Sequence, residues 1–556
     1  MSRPWRNLAI LLFAGAIAFG GFAGDRLLAV SGDTQNQIRL YTELLHAAHD
    51  AYGEDVAYED LVHASIDGML RALDPHTNFL SPDDYREMRD RQAASFFGLG
   101  ILVSKRNGEL TIISPIEGTP AWRMGLRAGD VISTIEGEAT DTMSLDDAVG
   151  KLKGPKGTAV HVGITRRGLD EPMMMDITRA EIPQNTVRYA YMMDEDTGYI
   201  RLTDFSRSTT REMREALDGL SEGGMQQLLL DLRSNGGGLL DQAVAVSNFF
   251  VPRETRIVET RGRLNDSYQT FYADGAHEPI DIPVVVLVNN GTASAAEILA
   301  GAMQDHDIGL VVGTPTWGKG LVQTVYNLSY GSGLALTTAK YYTPSGRLIQ
   351  RDYSSYYDYY THFGGQPTDI GSASDEVPET IETPEVEEFT TDLGRTVFGG
   401  GGITPDTVVD LPDGPQILTA LFAHNAFFAF AVDFDASHDI PDRTWQPPED
   451  IVDRFRDWAV GEEITTAEAL DDMFEDPAAR DFVHRQIHAD IFNSAFGMEA
   501  SHQVLARGDE QIQQALGLFG EARELLGKRH RIDEVEIAVG NAPEERVQDG
   551  ASGGSP

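Results

Sequence analysis

The spacing of apolar residues changes character several times along the chain. Between about residues 34 and 93 apolar positions recur at intervals of three and four, as in Leu40, Leu44 and Leu45 and again in Leu61, Ile66, Met69, Leu70 and Leu73. That spacing predicts short helices. Pro75 and Pro82, in LDPHTNFLSPDDY, interrupt the region, and Asp83 and Asp84 open a further helix. From Ser95 the period becomes two. FFGLGILVS (96–104), LTIISPI (110–116) and AGDVISTIEG (128–137) read as strands. SLDDAVGKLKG (144–154) reads as a helix with a serine cap, early aspartates, late lysines and a closing glycine. Residues 95–182 are thus expected to form a β-rich module with one clear helix.

From 183 to 350 strand and helix alternate. TGYIRLTDF (197–205), QLLLDLR (227–233), IPVVVLVNN (282–290) and IGLVVG (308–313) are strand patterns. TTREMREALDGL (209–220), LLDQAVAVSNFF (239–250) and the segment after Ser294 are helical ones. Alternation of fully apolar strands with helices predicts a mainly parallel sheet covered on its faces. GLALTTAKYYTPSGRLIQ (333–350) adds extended segments at its end. Residues 351–398 are tyrosine-rich, then acidic, with little periodicity, and are expected to be an insertion or exposed loop. GGGGITPD (399–406) returns to order, so 399–412 belongs with the core, 413–540 reads as a helical extension, and 541–556 as a disordered tail.

Length turns this pattern into domains: 556 residues exceed one core, and about three or four domains are expected. Arg3 and Arg6 precede an uncharged apolar run from Leu8 to about Phe22, followed by Asp25 and Arg26. Residues 1–30 therefore read as a signal peptide or N-terminal membrane anchor that exports the remainder, to the periplasm or another extracytoplasmic space. The chain has no cysteine, which excludes disulfides, a thiolate nucleophile and thiolate zinc sites. A formal net charge of −43 repels phosphate backbones and opposes nucleic-acid binding. Lysine occurs only at Lys105, Lys151, Lys153, Lys156, Lys319, Lys340 and Lys528, so each can be weighed singly.

One serine stands where an apolar strand gives way to a helix, in VNNGTASAAEILAGAM (288–303). Ser294 and Glu297 spell the capping box S-x-x-E, so Ser294 reads either as a helix cap or as a nucleophile. A nucleophilic serine needs a base and preorganised donors for the oxyanion. Asp305 and His306 lie at the far end of the same helix, roughly 18 Å away at 1.5 Å per residue. Lys319, in TPTWGKGLVQTV (314–325), follows the next strand and can return to the same sheet edge, with Trp317 and two glycines around it. It is either that base or a solvated surface lysine. Gln323, four residues on, shares its face and could orient the amine. The N–H of Ala295 at the helix start is one oxyanion donor, and the glycines of DLRSNGGGLLD (231–241) could offer a second.

The module at 95–182 resembles a PDZ domain, through the loop Gly98, Leu99, Gly100 and Ile101, the turn from Gly125 to Ile132 and the helix that follows. That resemblance implies a loop holding a peptide's terminal carboxylate while the peptide adds a strand; the residues alone also allow a simple glycine bulge. DLRSNGGGLLDQAV, VNNGTASAAEILAGAMQDH, VGTPTWGKGLVQTV and LTTAKYYTPSGRLIQ, in this order behind the module, resemble the carboxy-terminal processing, or tail-specific, protease family. The similarity spans about residues 37–412. It implies an α/β multidomain chain with a sheet-and-helix core similar to Clp protease and crotonase, an inserted PDZ domain, a helical N-terminal region and a helical C-terminal extension. It also implies Ser294 as nucleophile, Lys319 as general base, Gln323 as its orienting partner, Gly238 and Ala295 as oxyanion donors, and no cofactor or metal. The expected partners are proteins with apolar free C-termini, with a homo-oligomer or an envelope adaptor protein also compatible. Ala296 departs from the family, which often has a second serine there. Two other readings stay open: an inactive PDZ scaffold or holdase, and an acyl-CoA enzyme of the crotonase type, which export and the acidic charge oppose.

Overall fold

The computed structural model describes residues 32–353, 387–410 and 415–540. The expected export segment, most of the acidic stretch (354–386) and the expected tail (541–556) lie outside the described residues. The described residues fall into two compact units, one of 32–81 with Val325–Leu336, the other of Pro82–Thr324 with the described residues from Thr337 on.

In the first unit, α1 (Gly32–Ala51) and α2 (Tyr58–Arg71) carry the three-and-four spacing. The first is one helix of 20 residues rather than several short ones. β1 (Asn78–Leu80) pairs antiparallel with Gly333–Ala335.

The second unit opens with α3 (Pro82–Ala93), whose first turn holds Asp83 and Asp84. The β-rich module follows as β2 (Ser95–Gly98), β3 (Ile101–Arg106), β4 (Glu109–Pro115), α4 (Pro120–Arg123), β5 (Val131–Ile135), β6 (Glu138–Ala139), α5 (Leu145–Leu152), β7 (Ala159–Thr165), β8 (Met173–Thr178) and β9 (Ala180–Pro183). Strands β3, β4, β5, β7 and β8 form a sheet in that order, β6 pairs β5, and β2 pairs β9. The inward members of the period-two pattern, among them Leu110, Ile112, Ile132, Val160, Val162 and Ile164, make its core. Ser144 caps α5, accepting from the Asp147 N–H at 3.1 Å.

The next elements are β10 (Val187–Met192), β11 (Thr197–Leu202), α6 (Thr209–Glu222), β12 (Gln227–Asp231), α7 (Leu240–Ser247), β13 (Arg256–Gly262), β14 (Gln269–Tyr272), β15 (Val284–Val288), α8 (Ala295–Asp305), β16 (Gly309–Gly313), β17 (Leu321–Asn327), β18 (Gly333–Tyr342), β19 (Glu388–Thr390), β20 (Thr396–Phe398) and β21 (Thr407–Val408). A six-stranded sheet runs β10-β11-β12-β15-β16-β21, parallel except for β10. Every residue of β15 and β16 is buried, as unbroken apolar strands of a parallel sheet require. On one face Leu228, Leu230, Val284, Val286 and Val288 pack with Met213 and Leu217 of α6, Ala243 and Val246 of α7, and Ile298 and Leu299 of α8.

Two features differ from the sequence pattern. The 333–350 segment does not join the parallel sheet: β18 pairs with β13, Glu259 opposite Tyr342 and Gly262 opposite Ala339, in a second, antiparallel sheet. The expected acidic loop also contains the β19–β20 hairpin, whose three-residue strands are too short for periodicity to register.

The extension comprises α9 (Gln416–Ala423), α10 (Ala426–Ser437), α11 (Ile451–Gly461), α12 (Ala467–Phe474), α13 (Pro477–Phe496), α14 (Met498–Ala506), α15 (Glu510–Gly517) and α16 (Phe519–Gly540). Its earlier helices close over Phe427, Phe430, Phe455, Val483, Ile487 and Phe492. Its last ones place Ala506, Ile512, Ala515, Phe519 and Ala522 against Tyr199, Leu229, Val285, Leu287, Leu310 and Val312, the second face of the parallel sheet. It also meets the β-rich module, through an Arg167–Asp433 ion pair, the Arg106 guanidinium 4.1 Å from the Phe428 ring centre, and Asn493 Nδ2 donating to the Ile113 carbonyl at 3.2 Å.

Candidate active site

β15 ends at Val288, a turn follows, and α8 begins at Ala295. Ser294 sits at that junction with φ 56° and ψ −118°, a strained conformation for a residue with a side chain. The turn is held from β12 and the loop after it. Thr292 Oγ1 donates to the Leu232 carbonyl at 2.8 Å, and the Ala293 N–H to the Asn235 carbonyl at 2.9 Å. Ser294 remains half-buried while the whole of α8 behind it is buried.

Glu297 is fully buried and does more than cap the helix. Its Oε2 accepts from the Ser294 N–H (2.8 Å) and the Lys319 N–H (2.9 Å), and its Oε1 from the Gly318 N–H (2.8 Å) and Thr316 Oγ1 (2.5 Å). Burial pushes this carboxyl above the ordinary glutamate value, and the four donors oppose that push. Tyr341, on β18, ties the same two segments from another side: its hydroxyl lies within hydrogen-bond reach of the Ser294 carbonyl, at 3.0 Å, and of the Lys319 carbonyl, with one proton shared between them. Lys319 is half-buried, and its Nζ donates to Gln323 Oε1 at 3.2 Å. The structure therefore brings Ser294, Ala295, Lys319 and Gln323 into one neighbourhood, joined through Glu297 and Tyr341.

The glycine loop reaches the same place. A Cβ on Gly237, at φ 96°, would fall 2.7 Å from the Ser294 Cβ and 2.8 Å from the Ala293 carbonyl oxygen, so only glycine lets the loop approach this closely. Gly238 bridges Phe205 through the Phe205 N–H to Gly237 O (2.9 Å) and the Leu239 N–H to Phe205 O (2.8 Å). That pairing does not use the Gly238 N–H.

In the β-rich module, Gly98 ends β2, Leu99 is buried and Ile101 begins β3. The loop is fixed by its carbonyls: Leu99 O accepts from the Ala121 N–H (3.0 Å), and Gly100 O from the Ile116 N–H (2.9 Å) and Thr119 Oγ1 (3.1 Å). His306 caps the far end of α8, where its nitrogens contact Asp392 Oδ2 and the Arg256 carbonyl, both at 2.7 Å. Among the described residues no group of three or more His, Asp or Glu side chains is arranged to hold a metal ion.

Residues 196–354 match peptidase family S41, and residues 111–166 match the PDZ domain. A carboxy-terminal-processing protease of Bartonella bacilliformis is 38% identical over 322 residues, covering 57% of this chain and 74% of the relative. A carboxyl-terminal-processing protease of a Synechocystis species is 40% identical over 297 residues, covering 52% and 68%. The chain belongs to the S41 carboxy-terminal-processing proteases. It is a serine peptidase that carries a PDZ domain. Among solved structures, a photosystem II D1 C-terminal processing protease shares 33% identity over 56% of this chain and 90% of that one, with a TM-score of 0.32. In this protease Ser294, Ala295, Lys319, Gln323 and Gly238 all lie within the S41 segment. The loop at 98–101 precedes the PDZ match, and the extension from 413 lies outside both. Glu297 and Tyr341 are members of this neighbourhood that no local pattern links to Lys319. Only Glu297 carried a signal, its place in the capping box.

Proposed function

We propose that the chain is an endopeptidase with a Ser/Lys dyad that cleaves exported proteins near or from their C-termini. Ser294 Oγ attacks the scissile carbonyl carbon and passes its proton to the neutral Lys319 amine, oriented by Gln323. The N–H groups of Ala295 and Gly238 receive the oxyanion. Lys319 then protonates the leaving amine and activates the water that hydrolyses the acyl-enzyme ester. The observation that carries this reading is the buried Glu297 carboxylate, which accepts from the backbone N–H of both Ser294 and Lys319 and so sets nucleophile and base on one support.

The loop Gly98–Ile101 takes the substrate's free carboxylate, the peptide adds a strand beside β3, and this engagement gates the site. The segment beginning at Arg3 exports the chain to an extracytoplasmic space, cleaved or retained as an anchor.

The test is an unstructured protein with an apolar C-terminus, incubated with wild type, Lys319→Ala and Lys319→Arg and followed by mass analysis of the products. Arginine keeps the charge and cannot shed a proton at working pH. Both variants are expected to be inactive, and an active Lys319→Arg would move the base elsewhere.

A further inference from the structure

Asp231 and Arg233 close the end of β12 immediately before the glycine loop. Asp231 is fully buried and receives two guanidinium groups, Arg233 Nη2 at 2.7 Å and Arg201 Nη1 at 2.6 Å. The Arg233 backbone is held in the same cluster: its N–H donates to Asp231 Oδ1 at 3.0 Å, and its carbonyl accepts from Arg201 Nη2 at 2.9 Å. The loop then turns at Ser234, with φ 58° and its N–H on Asn289 Oδ1 at 2.7 Å. Asn235 accepts from the Ala293 N–H, one residue before Ser294, and Gly237 abuts Ser294 itself. Arg233 is therefore linked within a few residues, by backbone and hydrogen bonds, to both Gly238 and Ser294.

One core carboxylate, Asp231, faces the two guanidiniums of Arg201 and Arg233, and a second carboxylate, Asp509, comes from the C-terminal extension. Arg233 Nη1 donates to Asp509 Oδ2 at 2.8 Å and to Gln511 Oε1 at 3.0 Å. The Arg233 side chain is only 9% exposed, so its ion pair is shielded from the solvent that makes surface pairs weak, and an unbalanced charge there would be costly. Gln511 is buried and tied to the Val409 carbonyl at 2.8 Å, while Asp509 Oδ1 separately caps α15 by accepting from the Ile512 N–H at 3.0 Å. Each Asp509 oxygen thus has its own task.

We propose that Asp509, in the extension and outside both matched segments, is a positioning residue for the peptidase reaction: through Arg233 it fixes the 234–238 loop against Ser294. The extension is then part of the catalytic apparatus rather than an appendage to it. This rests on the reading of Ser294 as nucleophile and Gly238 as oxyanion donor.

Two substitutions separate the charge from the cap. Asp509→Asn keeps a capping oxygen and loses the charge; Asp509→Glu keeps the charge and caps less well. With the full chain and an unstructured protein substrate, Asp509→Asn is expected to lower kcat about tenfold to a hundredfold with KM within about twofold, the size of effect of a misplaced reacting group or oxyanion donor. Asp509→Glu is expected to restore most of it. Wild-type kcat in Asp509→Asn, or activity that follows the cap so that Asn works and Glu does not, overturns the proposal. Should Asp509→Asn fail to fold, Gln511→Leu removes the other acceptor of Nη1: lower kcat at unchanged KM supports the role, and unchanged kcat overturns it. Ser294→Ala is assayed alongside. If it is inactive and Asp509→Asn is unimpaired, only the positioning role falls; if it is active, the reading of the serine falls.

Discussion

Ser294 is a residue whose backbone is arranged for something other than stability. A positive φ in a serine costs about 1–3 kcal/mol relative to glycine, which adopts that conformation freely. Ser294→Gly is therefore expected to exceed Ser294→Ala in stability by about 1 kcal/mol or more, with both inactive. Urea midpoints of the two variants check this, and equal or inverted midpoints would mean the strain is absent. Glu297→Gln replaces an acceptor of four hydrogen bonds with a group that must point an N–H₂ at two of the donors. Leaving buried donors unpaired costs about 1–3 kcal/mol each, and kcat is expected to fall with stability because both Ser294 and Lys319 hang from that carboxylate. Retained stability together with retained kcat would remove Glu297 from the account. The proposed roles of Ser294, Lys319 and Gln323 rest on local patterns in the sequence: a strand-to-helix junction, a lone lysine between glycines, and a spacing of four. Glu297 was legible only as a cap. Its bonds to Thr316, Gly318 and Lys319 cross some twenty residues of chain, and no local pattern carries them.

At the scale of elements, the strands of the parallel sheet were readable because buried β15 and β16 are unbroken apolar runs. The same runs demand a cover on both faces. The alternating helices supply only one; the other comes from α15 and α16, hundreds of residues away in sequence for the earliest strand. Helical periodicity announces that such helices exist and says nothing about what they cover. Phe519, 3% exposed in that second layer, is the test residue. Phe519→Ala is expected to cost about 3–5 kcal/mol, the range for an aromatic removed from a core. A chemical-denaturation midpoint indistinguishable from wild type would place the extension away from the sheet. The antiparallel sheet of β13, β14 and β18 was not anticipated, because its strands pair across long separations and mix exposed with buried positions.

The molecule as a whole should be sensitive to acid. Burial holds His488 and His502 down at about 4, against an ordinary 6.5. His502 lies between the extension and the sheet, stacked 4.2 Å from the Tyr189 ring and within 3.2 Å of the Tyr191 hydroxyl. As pH falls below about 6.5 the unfolded chain takes up protons that the folded one refuses until about 4. Stability therefore drops across that window, and these two groups cause no further loss below it. His502→Phe is expected to flatten the slope of urea midpoint against pH between those values, and an unchanged slope would show that the histidine is protonated in the folded state.

The central claim remains the pairing of Ser294 with Lys319. The most direct measurement is peptide-level mass analysis after reaction with a fluorophosphonate, which phosphonylates an activated serine hydroxyl with loss of fluoride. The account predicts a single adduct, on Ser294, in the wild-type chain, and its loss in Lys319→Arg. An adduct on another residue, or labelling of Ser294 at the wild-type rate in Lys319→Arg, would contradict it.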